Sequence, residues 1–172
     1  MSALPRFATA DDNTGLEADF RAGMSKLVSG VSIIASGSLE NPVGLVATSV
    51  TSLTLDPPSL LVCVSQTASA RNAIVATRAV SVNILASTDQ AIAEPFASAA
   101  LKAERFRRGN WSALQTGVPT LDSALAVFDC TISQHIPYST HIILIAQAQA
   151  VRLAPSPAAP LIHFDRAMRP LP

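Results

Sequence analysis

Apolar and polar positions alternate along much of the chain, and a period of two is typical of β-strands with one buried face. The segments with this pattern are 31–36, 43–50, 59–65, 80–86, 125–133 and 141–153. Turn-forming residues lie between several of them, at 37–42, 56–58 and 135–139. Six or seven strands with only small helices predict an antiparallel β-barrel rather than alternating strand–helix units.

Helices are predicted in three short segments. Before the first strand, apolar residues at helical spacing predict an amphipathic helix that packs on the core and ends near Gly30. These apolar residues are Phe20, Met24, Leu27 and Val28. Two shorter helices are expected, one after 66–69 and one at 89–97, where Pro95 limits the length.

The 172 residues are enough for one domain with a full core. Residues 1–16 are polar and unpatterned, so we expect a flexible N-terminal segment followed by one domain over 17–172. Charged residues make up 14% of the chain, against roughly 25% in an average soluble protein, and the net charge is zero. This balance argues against nucleic acid or an anionic membrane as a partner, and a charge-poor surface suggests that another subunit covers part of it.

We expect a cytoplasmic protein without a structural metal site. No segment has the pattern of a signal peptide or the length of a membrane span. Cys63 and Cys130 lie far apart in strand-like surroundings, which predicts two buried free thiols. The chain contains no CxxC or HExxH motif, and it lacks the glycine-rich fingerprints of Rossmann and P-loop folds.

Short hydroxyl side chains are concentrated in 46–58, with no charge before Asp56. They belong to Thr48, Ser49, Thr51, Ser52 and Thr54. In one continuous strand they would alternate between two faces, so that Thr48 and Ser52 share a face. Threonine is a common strand residue in any case. The alternative is that hydroxyls and backbone amides line a polar ligand without adding a charge.

A candidate phosphate site follows the next strand. Segment 64–76 passes from a strand end through a Ser/Thr turn into a predicted helix, with Thr67 or Ser69 as its N-cap. Free N–H groups of a first helical turn attract anions, and Arg71 in that turn could add a charged contact. An ordinary capped helix with an exposed arginine is the alternative. Combined with the hydroxyl-rich segment, the pattern favours a phosphorylated, mostly uncharged aromatic ligand.

The order and spacing of several motifs resemble those of the short-chain flavin reductases. The motifs are FRAGMSKLVSGVSII, GLVATSVTSLTLDPPSLLVCVS, SARNAI, VSVNILA, ERF with a following W, GVPTLDSALAVFDCTI and HIILIAQAQAV, within residues 19–170. The resemblance implies a mainly β protein, a split β-barrel of the FMN-binding type with short flanking helices. It also implies a homodimer that binds FMN or FAD near the subunit interface. Such proteins take a hydride from NADH or NADPH, and many release reduced flavin to a separate monooxygenase.

The same resemblance assigns site residues. It implies a cofactor-binding role along the isoalloxazine ring for Thr48, Ser49 and Val50. It implies a role at the ribityl chain and phosphate for Ser65, Gln66, Thr67 and Ser69. His141 falls on the histidine of the family's Gly-Asp-His motif, which lies beside the flavin and the nicotinamide, and it is the candidate catalytic residue.

Three places depart from the family pattern. The Gly-Asp pair before the histidine is Ser139–Thr140 here, so a hydroxyl replaces a carboxylate that could orient the imidazole. His163 and Met168 stand where aromatic residues are common in the tail, and Val46 stands where threonine is often found. These differences bear on nicotinamide binding more than on flavin binding.

The remaining candidates are weaker. Trp111 is expected to be a packing anchor, with a lid over the flavin as the alternative. The basic cluster 105–108 is expected in a solvated loop, although it could attract dinucleotide phosphates. His135 and His163 are expected to be structural or surface groups. Two other functions stay open: a tightly FMN-binding electron-transfer protein, and a non-enzymatic barrel that binds another small ligand.

Overall fold

The computed structural model describes residues 13–171, and within them it contains three α-helices and twelve β-strands. The helices are α1 (Asn13–Met24), α2 (Arg71–Thr77) and α3 (Gln90–Ala97). The strands are β1 (Ser29–Gly30), β2 (Ser32–Gly37), β3 (Pro42–Ala47), β4 (Val50–Leu55), β5 (Pro58–Ser65), β6 (Ala79–Ile84), β7 (Trp111–Ala113), β8 (Pro119–Leu121), β9 (Ala126–Tyr138), β10 (His141–Leu153), β11 (Leu161–Phe164) and β12 (Ala167–Pro170). The expected mainly β fold with short flanking helices is confirmed.

Seven strands form one antiparallel sheet in the order β3-β2-β6-β9-β10-β5-β4. Its two edge strands, β3 and β4, follow one another in the chain and are separated by only Thr48 and Ser49. The sheet must therefore curl until its edges approach each other, as in a barrel that is not closed. β1, β11 and β12 form a second sheet, and β7 and β8 a small hairpin.

Apolar side chains form two cores on opposite faces of the curled sheet. Inward-facing residues of β5, β6 and β10, such as Val62, Val80 and Leu144, are fully buried in the first core. The second core lies between the outer face and the elements α3, β8 and β11, with Phe96 among its residues. β2 contributes to both, because the adjacent residues Ile33 and Ile34 are each fully buried.

The period of two located most strands, and β10 has the expected bounds of 141–153. The prediction of one strand over 43–50 was wrong, because β3 ends at Ala47 and β4 starts at Val50. The shared face expected for Thr48 and Ser52 in a continuous strand is therefore lost. The hydroxyl-rich segment is instead a chain reversal followed by an edge strand.

The turn predicted at 135–139 was also wrong, because the chain turns later than expected. β9 continues to Tyr138, and the hairpin turn is formed by Ser139 and Thr140. Pro137 pairs with Ile142 on one side. On the other side of β9 the pairing with β6 ends at Thr131, so within residues 13–171 no strand lies beside Pro137 there. A proline that cannot donate is tolerated at such an edge.

The N-terminal helix does not pack on the core as expected. Its apolar residues and those just after it are half exposed or more, namely Phe20, Met24, Leu27 and Val28. α1 starts at Asn13, so it includes the last residues of the segment 1–16 that we expected to be flexible. Residues 1–12 lie outside the described residues. No helix within 13–171 is long and apolar enough to span a bilayer.

Both cysteines are free thiols, as expected. Cys130 is buried, but Cys63 is only partly buried, so the expected burial holds for one of them. Burial, with a smaller contribution from the neighbouring Asp129 carboxylate, raises the pKa of the Cys130 thiol to about 12.

We expect this thiol to make the free energy of unfolding fall in alkali. Its pKa in the unfolded chain is about 8.5, so the stabilisation is complete below that pH and is lost as pH rises towards the folded value. The slope can reach about 1.4 kcal/mol per pH unit. Urea denaturation of the wild type and of Cys130→Ala at pH 8 and pH 10 measures this: the stability difference should shrink by more than about 1 kcal/mol. A constant difference would contradict it.

Candidate functional site

Three strand ends lie side by side at one rim of the curled sheet. The Cys63 amide donates to the Ser49 carbonyl at 3.2 Å, and the Ser49 hydroxyl donates to the Cys63 carbonyl at 3.1 Å. These bonds fix the connection after β3 against β5. Ser65, at the end of β5, pairs with His141, the first residue of β10. Predicted site residues from three distant segments are thus brought to the same rim.

Gln66 binds the hairpin before His141 to this rim through two hydrogen bonds. Its backbone amide donates to the Thr140 carbonyl at 2.9 Å, and its Nε2 donates to the Ser139 carbonyl at 2.6 Å. Thr140 Oγ1 lies 2.9 Å from His141 Nδ1, a hydrogen bond whose direction depends on the imidazole tautomer. The Gln66 side chain therefore positions the hairpin, and the Thr140 hydroxyl contacts the imidazole where the family motif has a carboxylate.

The Ser/Thr turn after β5 is held by its own hydroxyls. Ser65 Oγ lies 2.9 Å from Thr67 Oγ1 and accepts a hydrogen bond from the Thr67 amide at 3.3 Å. α2 begins after Ala70, which makes no side-chain capping bond, so the predicted N-cap at Thr67 or Ser69 was wrong. The reason is that Ser65 caps a separate turn ahead of the helix. This leaves the hydroxyl of Ser69 available to a neighbouring cavity.

That cavity, which we call the Arg105 cavity, lies beside β3 and has a volume of about 130 Å³. It is lined by Pro42, Val43, Gly44, Ser69, Ala70, Lys102, Arg105 and Phe106. Two cationic side chains and one hydroxyl in so small a space suit an anionic group of phosphate size. Of the cofactor-binding residues predicted from the family resemblance, only Ser69 is among them.

Arg105 joins the walls of this cavity through four hydrogen bonds. Its Nη1 donates to the Gly44 carbonyl at 3.0 Å and to Ser69 Oγ at 3.3 Å. Its Nε and Nη2 donate to the carbonyls of Pro95 and Ser98, at the end of α3. Burial lowers the pKa of this guanidinium from its ordinary value. The solvated loop expected for 105–108 was thus wrong for Arg105, which joins β3, α3 and the Ser69 turn.

An aromatic layer covers the same stretch of β3. Phe106 lies with its ring centroid 4.9 Å from that of Phe96 and 4.7 Å from that of Trp111. A Cβ atom on Gly44 would lie only 2.9 Å from Phe96 and 3.0 Å from Phe106. Glycine is therefore needed for this close approach. Trp111 is the expected packing anchor, and its Nε1 donates to the Arg108 carbonyl at 2.9 Å.

A second cavity, the Thr48 cavity, lies at the other end of β3 and has a volume of about 330 Å³. It is lined by Val31, Val46, Ala47, Thr48, Ala97, His163, Arg166 and Met168. Alternate residues of a strand share a face, so Gly44 of the Arg105 cavity and Val46 of the Thr48 cavity point to the same side of β3, about 7 Å apart. A flat ring in this cavity could therefore be joined to a phosphate in the Arg105 cavity.

Two of the predicted cofactor residues, Val50 and Arg71, line neither the Arg105 cavity nor the Thr48 cavity. The side chain of Val50 lines a third, apolar cavity of about 420 Å³ with Leu60 and Phe128, on the other side of the chain reversal. Arg71 is half-buried, and its Nη1 donates to Asn72 Oδ1 at 2.8 Å. Its Nε is buried and has no hydrogen-bond partner in the described part of the chain. This donor is therefore available to an acceptor that the chain itself does not supply.

These features together fit a flavin phosphate. Close to Ser69 lie an unpaired buried donor and two cations. Sequence reasoning missed Lys102, and it named Arg105 only in a basic cluster that could attract dinucleotide phosphates, because a loop cation carries no local signal of its tertiary contacts. It also missed His163 and Arg166 as cavity residues, because only the pairing of β11 with β1 brings the tail to β3.

Comparisons with known proteins show the family of this chain. Residues 24–172 match the family described as the flavin reductase like domain. The chain is 38% identical over 150 residues to the FMN reductase (NADH) RutF of Variovorax paradoxus, covering 87% of this chain and 83% of the relative. Nitrilotriacetate monooxygenase component B from Mycobacterium thermoresistibile has a TM-score of 0.85 at 26% identity, covering 93% of this chain and 89% of the other. BorF, the flavin reductase component of a bacterial two-component tryptophan halogenase, has a TM-score of 0.82 at 26% identity, covering 91% and 98%. The chain therefore belongs to the flavin reductase-like family.

Proposed function

We propose that this protein is an NADH-dependent flavin reductase that binds FMN beside β3, between the Arg105 cavity and the Thr48 cavity. The observation that carries this placement is the pair of cavities at the two ends of one strand face. One is small and cationic, and the other is larger and of mixed polarity. The name FMN reductase (NADH), carried by a relative 38% identical to this chain, supports FMN and NADH as the ligands.

The binding residues follow from this placement. Ser69, Lys102 and Arg105 would hold the phosphate with hydrogen bonds and charge, and the unpaired Nε of Arg71 is within the same turn. Thr48 and Ser49 would face the ring with uncharged hydroxyl and backbone groups. Val50 would contribute its backbone rather than its side chain, which lies in the apolar cavity. Ser65 and Thr67 would contact the ribityl chain at the rim.

The chemistry requires little from the protein besides positioning. When bound, NADH supplies the hydride and flavin accepts it. The chain's contribution is to hold the two ligands in contact and to place dipoles where negative charge develops. The rigid connection at Thr48 and Ser49, tied to Cys63 by two hydrogen bonds, suits that role.

His141 is proposed to contact the nicotinamide side of the site, with Thr140 fixing its imidazole. We expect His141→Ala to lower kcat about tenfold or more with NADH, because one positioned proton donor or acceptor contributes on that scale. The dissociation constant for FMN should change less than about threefold. Stopped-flow reduction and fluorescence titration measure the two quantities. His135→Ala, at an exposed position of β9, is the control, and equal losses in both quantities would exclude this role.

Turnover with free flavin tests the proposed function itself. Catalytic amounts of protein should oxidise many equivalents of NADH when FMN is added in excess, and far fewer in its absence. A tightly FMN-binding electron-transfer protein would oxidise only about one equivalent per bound flavin. A colourless protein that neither binds FMN nor oxidises NADH would favour a non-enzymatic ligand-binding barrel.

The active assembly is proposed to be a homodimer that delivers reduced flavin to a separate oxygenase in the cytoplasm. Exposed apolar side chains support a covered face, including Leu55, Phe20 and those around the apolar cavity. The monooxygenase and halogenase components among the similar structures support the oxygenase partner. Two free thiols favour a reducing compartment. Light scattering should give twice the chain mass of 17.9 kDa, and a mass of one chain would contradict the dimer.

A further inference from the structure

Arg166 stands at the border between the Thr48 cavity and another cavity beside the N-terminal helix. The second cavity, which we call the α1 cavity, has a volume of about 360 Å³ and is lined by Glu17, Ala18, Arg21 and Arg166. Arg166 is the residue that lines both. A ligand that extends out of the Thr48 cavity towards α1 would therefore pass this guanidinium.

The charges around Arg166 leave it unpaired. Glu17 lies 2.5 Å from Arg21, and Asp165 lies 3.0 Å from Lys26. Each nearby acid that lines the cavity or shares the turn thus has a closer cationic partner, and Arg166 attracts Asp165 only at longer range. Within residues 13–171 Arg166 itself donates no hydrogen bond and forms no ion pair within 4 Å. An exposed guanidinium without a partner, at the mouth of a cavity, is suited to an anionic ligand.

The backbone fixes where this guanidinium is presented. Asp165 and Arg166 form the turn between β11 and β12 with φ of 49° and 66°, a left-handed conformation that Asn-Gly adopts more easily. The Asp165 amide donates to the Ser25 carbonyl at 2.9 Å, and this bond anchors the turn to the segment after α1. The turn is therefore held from two sides in a conformation that arginine does not favour.

We propose that Arg166 binds the pyrophosphate of NADH, with the adenosine half of the dinucleotide in the α1 cavity. This inference rests on the proposed function, because it places the nicotinamide at the open side of the Thr48 cavity, against the isoalloxazine ring that this cavity would hold. The basic cluster 105–108 is a poorer site for that pyrophosphate. Arg105 lines the cavity proposed for the flavin phosphate, and Arg107 is paired with Glu104 at 3.1 Å.

Arg166→Gln tests the proposal. We expect the KM for NADH to rise about tenfold, the loss of one charge-assisted contact, while kcat and the dissociation constant for FMN change less than about threefold. Binding of ADP-ribose, measured by calorimetry on the FMN-loaded protein, should weaken by a similar factor. N-benzyldihydronicotinamide carries no phosphate, so the rate with this hydride donor should be the same in variant and wild type.

Arg169→Gln is the matched control, since it removes the same charge from the same hairpin at a residue that lines neither cavity. Arg166→Gly is the second variant, because it removes the charge and accepts a positive φ even if Gln disturbs the turn. An unchanged KM for NADH in both Arg166 variants overturns the proposal, and so does an equal loss with N-benzyldihydronicotinamide. Failure of the wild type to bind FMN or reduce it would instead overturn the proposed function.

Discussion

Ser69→Asp should weaken FMN binding about 100-fold, because it places a carboxylate against the flavin phosphate in a partly buried cavity. Riboflavin lacks the phosphate, so its affinity should change less than about threefold. Fluorescence titration of both flavins with wild type and variant measures the two effects. The ratio of FMN to riboflavin affinity is the informative quantity, since it cancels any general effect of the substitution on the fold.

Ser156→Asp is the control for this experiment, because it adds the same charge in an exposed loop far along the chain from the site. It should leave both affinities unchanged. If Ser69→Asp weakens FMN and riboflavin equally, the phosphate does not bind at Ser69. If it weakens neither, the flavin lies elsewhere.

Arg105→Ala should lower the free energy of unfolding by about 3 kcal/mol, because three backbone carbonyls and the Ser69 hydroxyl lose a charged donor. In a chain of this size that corresponds to a fall in Tm of roughly 6 to 12 °C. Urea denaturation without flavin measures the effect apart from ligand binding.

Arg107→Ala is the matched control, since Arg107 is exposed and paired with Glu104 on the surface. Its effect should stay below about 1 kcal/mol. Arg105→Lys should recover only part of the loss, because an ammonium group cannot reproduce the fork that reaches α3 and β3 together. Equal stability changes for Arg105→Ala and Arg107→Ala would mean that the four hydrogen bonds of Arg105 do not hold the site together.

Local patterns in the sequence account for much of the fold. The period of two located β2, β5, β6 and β10, because each buries one or both faces in a continuous core. It failed at Thr48 and Ser49, where the chain reverses without glycine or proline. Helical spacing located α1, but its expected packing on the core was wrong, because its apolar residues are not covered by the described part of this chain. A periodic pattern shows that one face of an element avoids water, but it does not show which part of the protein covers that face.

Residues of the candidate site were predictable only where they lie together in one short sequence motif. Thr48, Ser65 and Ser69 lie in motifs that also place them at the rim or beside a cavity. Arg105 and Arg166 lie in loops whose sequences look solvent-exposed, and only tertiary packing gives them a role. Arg105 reaches β3 because the aromatic layer at Phe96, Phe106 and Trp111 fixes the loop that carries it.

A crystal structure of the FMN complex tests the placement of the flavin along β3 most directly. We expect the phosphate within hydrogen-bond distance of Ser69 in the Arg105 cavity, and the isoalloxazine ring in the Thr48 cavity. A ring in the apolar cavity beside Val50 and Phe128, or a phosphate that contacts neither Ser69 nor Arg105, would contradict the account.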